Sequence, residues 1–423
     1  MQIAIIALGS RGDVQPYIAL GRGLKEAGHF VRLVTHQNFE HLVNSHGLEF
    51  FPVMGDVQEF LETEEMRELL EKGNFLAISR KTAKEAERAA VDWASEGLVA
   101  CRGMDLLIAG IGGLFVGLAL AEKLNLPFIQ AYLVPFTPTN AFSGVLLPPS
   151  LSKLGSSFNR FSHRLIRQIM WQGFRTADKL ARQKVLNLPV APFFGPYNSS
   201  KMRDYPILYG FSPSLIPKPP DWNDNTHVTG YWFLDAASDW IAPPKLSDFL
   251  QNGSPPVYIG FGSMSSRKPE ETADLILQAL AQTKQRAILL SGWSGLQKEN
   301  LPEAVFLADS IPHSWLFPRV AAVVHHGGAG TTAAGFRAGV PSVVIPFFGD
   351  QSFWGRKTAE LGVGSEPIPR KQLTIEKLAD ALQIVTTDEA MRRRAADLGV
   401  KIRSENGVAS AITVISELKP TAV

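Results

Sequence analysis

The chain has 423 residues, longer than one hydrophobic core usually grows, so length alone points to two domains of roughly 200 residues each. Its 42 basic and 40 acidic residues nearly cancel, which removes general phosphate neutralisation as a reason to bind nucleic acid, and 45% hydrophobic against 19% charged residues excludes a disordered or fibrous chain. The single cysteine, Cys101, excludes an internal disulfide framework and a cysteine-clustered zinc site, and fits a reducing, cytoplasmic setting.

Gln2–Leu8 reads as a first strand. It lacks a basic leader and meets Ser10-Arg11-Gly12-Asp13 too soon to be a signal peptide. The loop Gly9-Ser10-Arg11-Gly12-Asp13-Val14-Gln15-Pro16 puts a carboxylate at the carboxyl end of that strand, where open α/β sheets bind ligands. Asp13 equally suits the cap of a helix beginning near Pro16. The loop has neither G-x-G-x-x-G spacing nor a following Gly-Lys-Ser/Thr, so it is not a dinucleotide fingerprint or a P-loop. A periodic stretch, Ile18–Ala27, predicts a helix and Phe30–Thr35 a second strand, the βαβ rhythm of a parallel sheet. Leu106–Ala121 is uncharged, but it is short and carries Gly110, Gly112, Gly113 and Gly117, so it reads as a buried strand, a glycine turn and a helix rather than a membrane span.

From Leu124 to Ser152 the chain carries no charge, and Tyr132, Phe136, Phe142 and Leu146 stand among prolines. Two readings are open: the wall of an apolar acceptor pocket, or a buried strand followed by a rigid surface loop. Leu151–Val190 then holds Lys153, Arg160, Arg164, Arg167, Arg175, Lys179, Arg182 and Lys184 against Asp178 alone, a formal excess of +7, with Phe158, Phe161, Ile169, Met170, Trp171 and Phe174 interleaved. This segment, 151–190, suits peripheral contact with an anionic membrane, and it equally suits a solvated helical face. Phe233–Gln251, with Pro243-Pro244, reads as a linker, dividing the chain into 1–240 and 241–423.

The βαβ rhythm restarts at Val257–Phe261, with a helix near Pro269–Gln282 and strands at Arg286–Ser291 and Ala321–His325. Next comes His325-His326-Gly327-Gly328-Ala329-Gly330-Thr331-Thr332, before the small-residue helix Ala333–Ala338. Small residues let backbone N–H groups approach an anion at a helix start, and a histidine donor and threonine hydroxyls would add to the positive end of the helix dipole. The alternatives are a tight turn with packed or zinc-ligating histidines; neighbours on a strand point oppositely, which disfavours joint ligation. After strand Ser342–Ile345, Pro346-Phe347-Phe348-Gly349-Asp350-Gln351 offers a carboxylate and an amide suited to vicinal sugar hydroxyls, or an ordinary turn. Asp388–Arg403 and Val408–Leu418 are helix-like, and the last is a candidate to cross back onto the first domain.

Taken together, these blocks resemble the family 1 glycosyltransferases, most closely their sterol 3-beta-glucosyltransferase branch. The resemblance rests on the 9–16 loop, Gly230-Tyr231-Trp232-Phe233-Leu234-Asp235, Tyr258-Ile259-Gly260-Phe261-Gly262-Ser263, Pro312-His313-Ser314-Trp315-Leu316-Phe317-Pro318-Arg319, and the His-His-Gly-Gly and Phe-Phe-Gly-Asp-Gln blocks, in that order over nearly the whole chain. It implies an α/β GT-B fold, two Rossmann-like domains facing each other across a cleft. It also implies an inverting, metal-independent hexosyltransferase that uses UDP-glucose as co-substrate, needs no cofactor and acts on a hydroxyl of a sterol or similar hydrophobic alcohol. By that resemblance Asp13 is the general base and Ser10 its neighbour. Ser263, His325, Gly328, Ala329, Gly330 and Thr331 hold the diphosphate, Asp350 and Gln351 read the hexose, and Ile311 to His313 form the base-binding edge. Leu8 stands where the plant secondary-metabolite branch carries a base histidine, Ser310 near its stacking tryptophan, and Ala333 in place of its ribose-binding glutamate; Trp293 is a candidate aromatic surface or a core residue. The rival readings are a transferase for a polyketide, flavonoid or terpenoid, a nucleotide-sugar epimerase, and a catalytically idle scaffold, against which Asp13 argues.

Overall fold

The computed structural model describes residues 1–71, 75–147, 154–236, 240–262, 269–291 and 301–417. They form two compact α/β units. The first takes Met1–Phe60, Leu76–Leu234 and the stretch from Glu405; the second takes Leu61–Phe75 and Asp235–Ser404.

In the first unit the strands are β1 Gln2–Ile6, β2 Phe30–His36, β3 Glu49–Val53, β4 Leu106–Ala109, β5 Phe128–Tyr132, β6 Ile207–Tyr209 and β7 Thr226–Val228. They lie in the order β3-β2-β1-β4-β5-β6-β7, parallel throughout. Every residue of β4 and β5 is buried, which explains why these runs are continuously apolar rather than alternating: helices cover both faces of such a sheet. The chain winds outward from β1 in one direction through β2 and β3, then returns to lay β4 on the other side of β1. The carboxyl ends of β1 and β4 therefore flank a topological switch point, the place where doubly wound sheets bind ligands.

The first helix spans Arg11–Glu26, five residues earlier than Pro16 suggested, because Ser10 in extended conformation serves as its N-cap. On its inner face Val14, Tyr17, Ile18 and Leu24 are buried, and the helix Gly407–Glu417 packs beside it, burying Ala411 and Ile415 in the same core. Gly23 permits this approach: a Cβ there would stand 2.3 Å from Val408 Cγ1. Upstream of the Gly407–Glu417 helix, the Glu405 carboxylate accepts hydrogen bonds from Ser212 Oγ at 2.6 Å and Ser214 Oγ at 2.7 Å, which ties the end of the chain to the same unit.

The second unit has β8 Val257–Gly260, β9 Ala287–Leu290, β10 Val305–Ala308, β11 Ala322–His325 and β12 Ser342–Val344, in the order β10-β9-β8-β11-β12 and again parallel. Its switch point lies between β8 and β11. No helix among the described residues is long and apolar enough to cross a membrane.

Candidate active site

Each unit places one sequence-predicted loop at its own switch point. In the first, β1 runs into Leu8-Gly9-Ser10 and the helix that follows carries Asp13 in its first turn. The Asp13 carboxylate accepts hydrogen bonds from the Ser10 N–H and the Ser10 Oγ–H, both at 2.9 Å. Its Oδ2 rests so close over Gly9 that a Cβ at that position would lie 2.5 Å away, and Gly9 has φ +147°, so a residue without a side chain is required there. Asp13 is thus both a helix-start residue and an accessible carboxylate at a ligand-binding strand end; the two readings of the sequence are not exclusive. Crowding by protein raises its pKa above the usual carboxylate value through desolvation, while the two Ser10 bonds pull the other way. One turn on, Tyr17 donates to the Ala131 carbonyl at 2.7 Å, and burial raises its pKa far beyond physiological pH, so it stays a neutral structural phenol.

In the second unit β11 ends at His325 and the helix Ala329–Ala338 begins after Gly328, which no side chain caps. The first N–H groups of that helix have no intrahelical acceptor and face the loop, an arrangement suited to an anion. His325 is fully buried. Its Nδ1 accepts from the Gly327 N–H at 3.0 Å, and burial pushes its pKa well below the usual imidazole value, so the ring is neutral with its proton on Nε2. That Nε2 is buried, without a hydrogen-bond partner among the described residues.

His326 received no donor role from the sequence, which left it a packed or zinc-ligating side chain. Its ring lies between two glycines: a Cβ on Gly328 would sit 2.5 Å from His326 Nε2, and one on Gly262 3.3 Å from His326 Cε1. The ring therefore spaces the loop after β8 against the loop after β11, and presents Nε2 beside the start of the helix. Burial pushes its pKa down to about 4, so it too is neutral. The clue available in the sequence was the alternation of strand neighbours: if His325 closes the buried strand, His326 must face the other way.

The other donor-side candidates fall around this centre unevenly. Gly328, Ala329, Gly330 and Thr331 form the helix start. Ile311 is buried in an apolar cluster, whereas His313 is stacked on Phe317 with ring centroids 4.3 Å apart and lies 3.2 Å from the Tyr258 hydroxyl. Gln351 Oε1 accepts from the backbone N–H groups of Phe347 at 2.7 Å and Phe348 at 3.1 Å, which fixes the turn and leaves only its NH₂ as a donor. Asp350 Oδ2 accepts from Trp354 Nε1 at 2.8 Å. Ser263 and Trp293 lie outside the described residues. Among the described residues no cluster of three or more His, Cys, Asp or Glu side chains is placed to hold a metal ion.

On the acceptor side Tyr132 and Phe136 stand in the first unit's interior, as the alternative reading of a buried strand expects. Both rings are buried, packed on each other at 5.3 Å and on Tyr209 and Tyr197, and the Tyr132 hydroxyl donates to Gln130 Oε1 at 2.8 Å. Phe142 and Leu146 remain half-buried, in a segment pinned to the helix Ser156–Ala181. There Asn159 Nδ2 donates to the Asn140 carbonyl, Ser162 Oγ accepts from the Gly144 N–H, and His163 Nε2 donates to the Phe142 carbonyl. A small apolar cavity of about 30 Å³ opens between Ala90, Trp93, Phe115, Val116 and Phe174, room for about one water.

The +7 segment is not a uniform basic face. Arg182 is buried in ion pairs with Asp178 and Glu122, Arg167 lies over the rings of Phe136 and Tyr197, and Arg175 lies over Phe193. Arg160, Arg164, Lys179 and Lys184 are exposed; Lys153 lies outside the described residues.

Comparison with known proteins accounts for both units. Residues 3–143 match the glycosyltransferase family 28 N-terminal domain, and residues 274–410 the erythromycin biosynthesis protein CIII-like C-terminal domain. The chain is 37% identical over 435 residues to sterol 3-beta-glucosyltransferase UGT80A2 of Arabidopsis thaliana, covering 100% of this chain and 66% of the relative. With UGT80B1 of the same plant it shares 37% identity, covering 97% of this chain and 67% of that one. With the sterol 3-beta-glucosyltransferase of Emericella nidulans it shares 38%, covering 98% of this chain but 30% of the relative. The chain thus spans about two thirds of the plant relatives and about a third of the fungal one. Among solved structures, the glycotransferase of kitacinnamycin superposes with a TM-score of 0.67 at 19% identity over 98% of both chains. SsfS6 of Streptomyces sp. SF2575 complexed with thymidine diphosphate superposes with 0.63 at 20%, over 99% of this chain and 100% of that one. The two parallel-sheet units, their GT-B neighbours and the full-length identity agree: the chain belongs to the GT-B glycosyltransferase family that includes the sterol 3-beta-glucosyltransferases.

Proposed function

We propose that the chain is an inverting hexosyltransferase that moves glucose from UDP-glucose to a hydroxyl of a sterol or a similar hydrophobic alcohol. The observation that carries this reading is Asp13, an accessible carboxylate of raised pKa held by Ser10 at the ligand-binding end of β1. The identity to sterol 3-beta-glucosyltransferases along the whole chain supports the acceptor class.

In this mechanism Asp13 takes the proton of the acceptor hydroxyl as that oxygen attacks the anomeric carbon. A carbon–oxygen bond forms on one face while the bond to UDP breaks on the other, which inverts the configuration. A free carboxylate is a weak base, and a raised pKa brings it nearer the range where general-base catalysis is effective. The negative charge that develops on the departing diphosphate is met by the N–H groups at Gly328–Thr331 and by an imidazole, a role we assign to the half-buried His326 beside Gly328 rather than to the fully buried His325. Asp350 and the Gln351 amide offer hydrogen bonds to hexose hydroxyls, and Phe142 and Leu146 an apolar surface to the acceptor. With the leaving group's charge met by protein donors, no metal ion or other cofactor takes part.

The test offers the purified protein UDP-glucose and dTDP-glucose in parallel with a set of hydrophobic alcohols, with and without EDTA, and reads product masses. The expected result is a glucosylated sterol from UDP-glucose, undiminished by EDTA. Sugar loss to water alone, with no acceptor product, would instead point to a nucleotide-sugar hydrolase or epimerase, and loss of transfer with EDTA would remove the metal-free route.

A further inference from the structure

Resting on the reading of the chain as a transferase for a membrane-soluble alcohol, we propose that its first unit docks on an anionic lipid surface through two apolar contacts on one face of the helix Ser156–Ala181. The first contact is the stripe Phe158, Phe161 and Leu165, and the second is the turn at Phe193-Phe194.

Half of the exposed large hydrophobic side chains among the described residues fall between 154 and 194, including Leu154 at 60%, Phe161 at 55% and Phe194 at 64% exposure. Phe158, Phe161 and Leu165 recur at helical spacing, and the first two rings touch at 6.2 Å. The Phe193-Phe194 turn is not loose. The Phe193 carbonyl accepts from Trp171 Nε1 at 2.8 Å and Gln172 Nε2 at 2.9 Å, and the Arg175 guanidinium lies 4.6 Å over the Phe193 ring. Phe161 and Gln172 are separated by about three helical turns, so the anchored turn returns to the same face as the stripe, roughly 16 Å further along.

The charges on this surface choose the partner. Between 154 and 200 the only acidic residue is Asp178, buried in its pair with Arg182, so the exposed charges are Arg160, Arg164, Lys179 and Lys184, with Arg160 in electrostatic reach of Asp221. A second copy of the chain would bring the same cations to the contact. An anionic bilayer complements them and accepts projecting rings at its headgroup boundary without a shaped groove.

Sedimentation with phosphatidylglycerol/phosphatidylcholine vesicles tests this, using wild type, the pair Phe161→Gln and Phe194→Gln, the pair Arg164→Glu and Lys179→Glu, and a control pair, Ile241→Gln and Val400→Gln, at exposed apolar sites elsewhere. Wild type and control should bind at low salt. The aromatic pair should bind roughly tenfold or more weakly, and the charge pair should lose binding in a way that added salt also produces in wild type. All four should transfer glucose equally to a short, water-soluble alcohol; transfer absent from all of them, with vesicle binding intact, sinks the enzymatic reading and not the docking. No wild-type binding to anionic vesicles at low salt, an equal loss in the control pair, or a dimer in ultracentrifugation that the aromatic pair abolishes would each overturn the proposal.

Discussion

Asp13 is held between two opposing influences, and Ser10 supplies one of them. A base must be ionised to accept a proton, so activity falls as pH drops through its folded-state pKa. Because desolvation raises that pKa, the acid limb of kcat/KM should lie above the ordinary carboxylate range. Ser10→Ala removes the Oγ–H donor that favours the ionised form, so it should move that limb to still higher pH while donor affinity holds. A pH profile of the variant unmoved from wild type contradicts the coupling. On the donor side, His326→Ala should weaken UDP binding about tenfold or more, the scale of one hydrogen bond to a charged group. His325→Ala should chiefly cost stability, through the lost Gly327 contact and a cavity in the sheet. Calorimetry with UDP on both variants distinguishes them, and the opposite pattern returns the donor role to His325. The Asp13 loop was legible in the sequence because its residues are contiguous and its chemistry follows a strand end. The roles proposed for the two histidines were not, because they depend on which residue closes β11 and on a ring wedged between Gly262 and Gly328, positions far apart in the chain.

At the scale of elements, the alternation of apolar runs and periodic stretches marked the central strands of both sheets and several helices, but not β3, β6, β7 and β10 or helices such as Phe75–Cys101 and Ile375–Thr387. The start of the first helix moved to Arg11 because an N-cap serine outweighs a proline in the second turn. Apolar aromatic residues in a strand read the same whether they line a pocket or fill a core, which is why the sequence leaves both readings open for Tyr132 and Phe136. The carboxyl-terminal helix gives an element-scale test. Ile415 is wholly buried against the Arg11–Glu26 helix, the one that carries Asp13, so Ile415→Ala should destabilise the first unit by about 2–5 kcal/mol. Denaturant titration followed on that unit should show it, and a change within a few tenths of a kcal/mol would mean that the helix does not share that core.

For the molecule as a whole, length and the repeated βαβ rhythm were enough to expect two parallel-sheet units, since such sheets need helices on both faces and announce themselves in sequence. What length and rhythm could not supply is the strand order, and the strand order is what makes the two loops meaningful: each follows a strand that borders its sheet's switch point. The net charge of 151–190 was likewise read correctly as a sum and misleadingly as a surface, because stacking and ion pairing remove three of its arginines from the face. The most direct test of the whole account is Asp13→Asn assayed with UDP-glucose and a sterol, alongside UDP calorimetry and assignment of the anomeric configuration of the product. The predicted result is an inverted glucoside from wild type, with turnover of the variant reduced by roughly two to four orders of magnitude at unchanged UDP affinity. Near-full turnover by the variant, or a product that retains the donor's configuration, would contradict it.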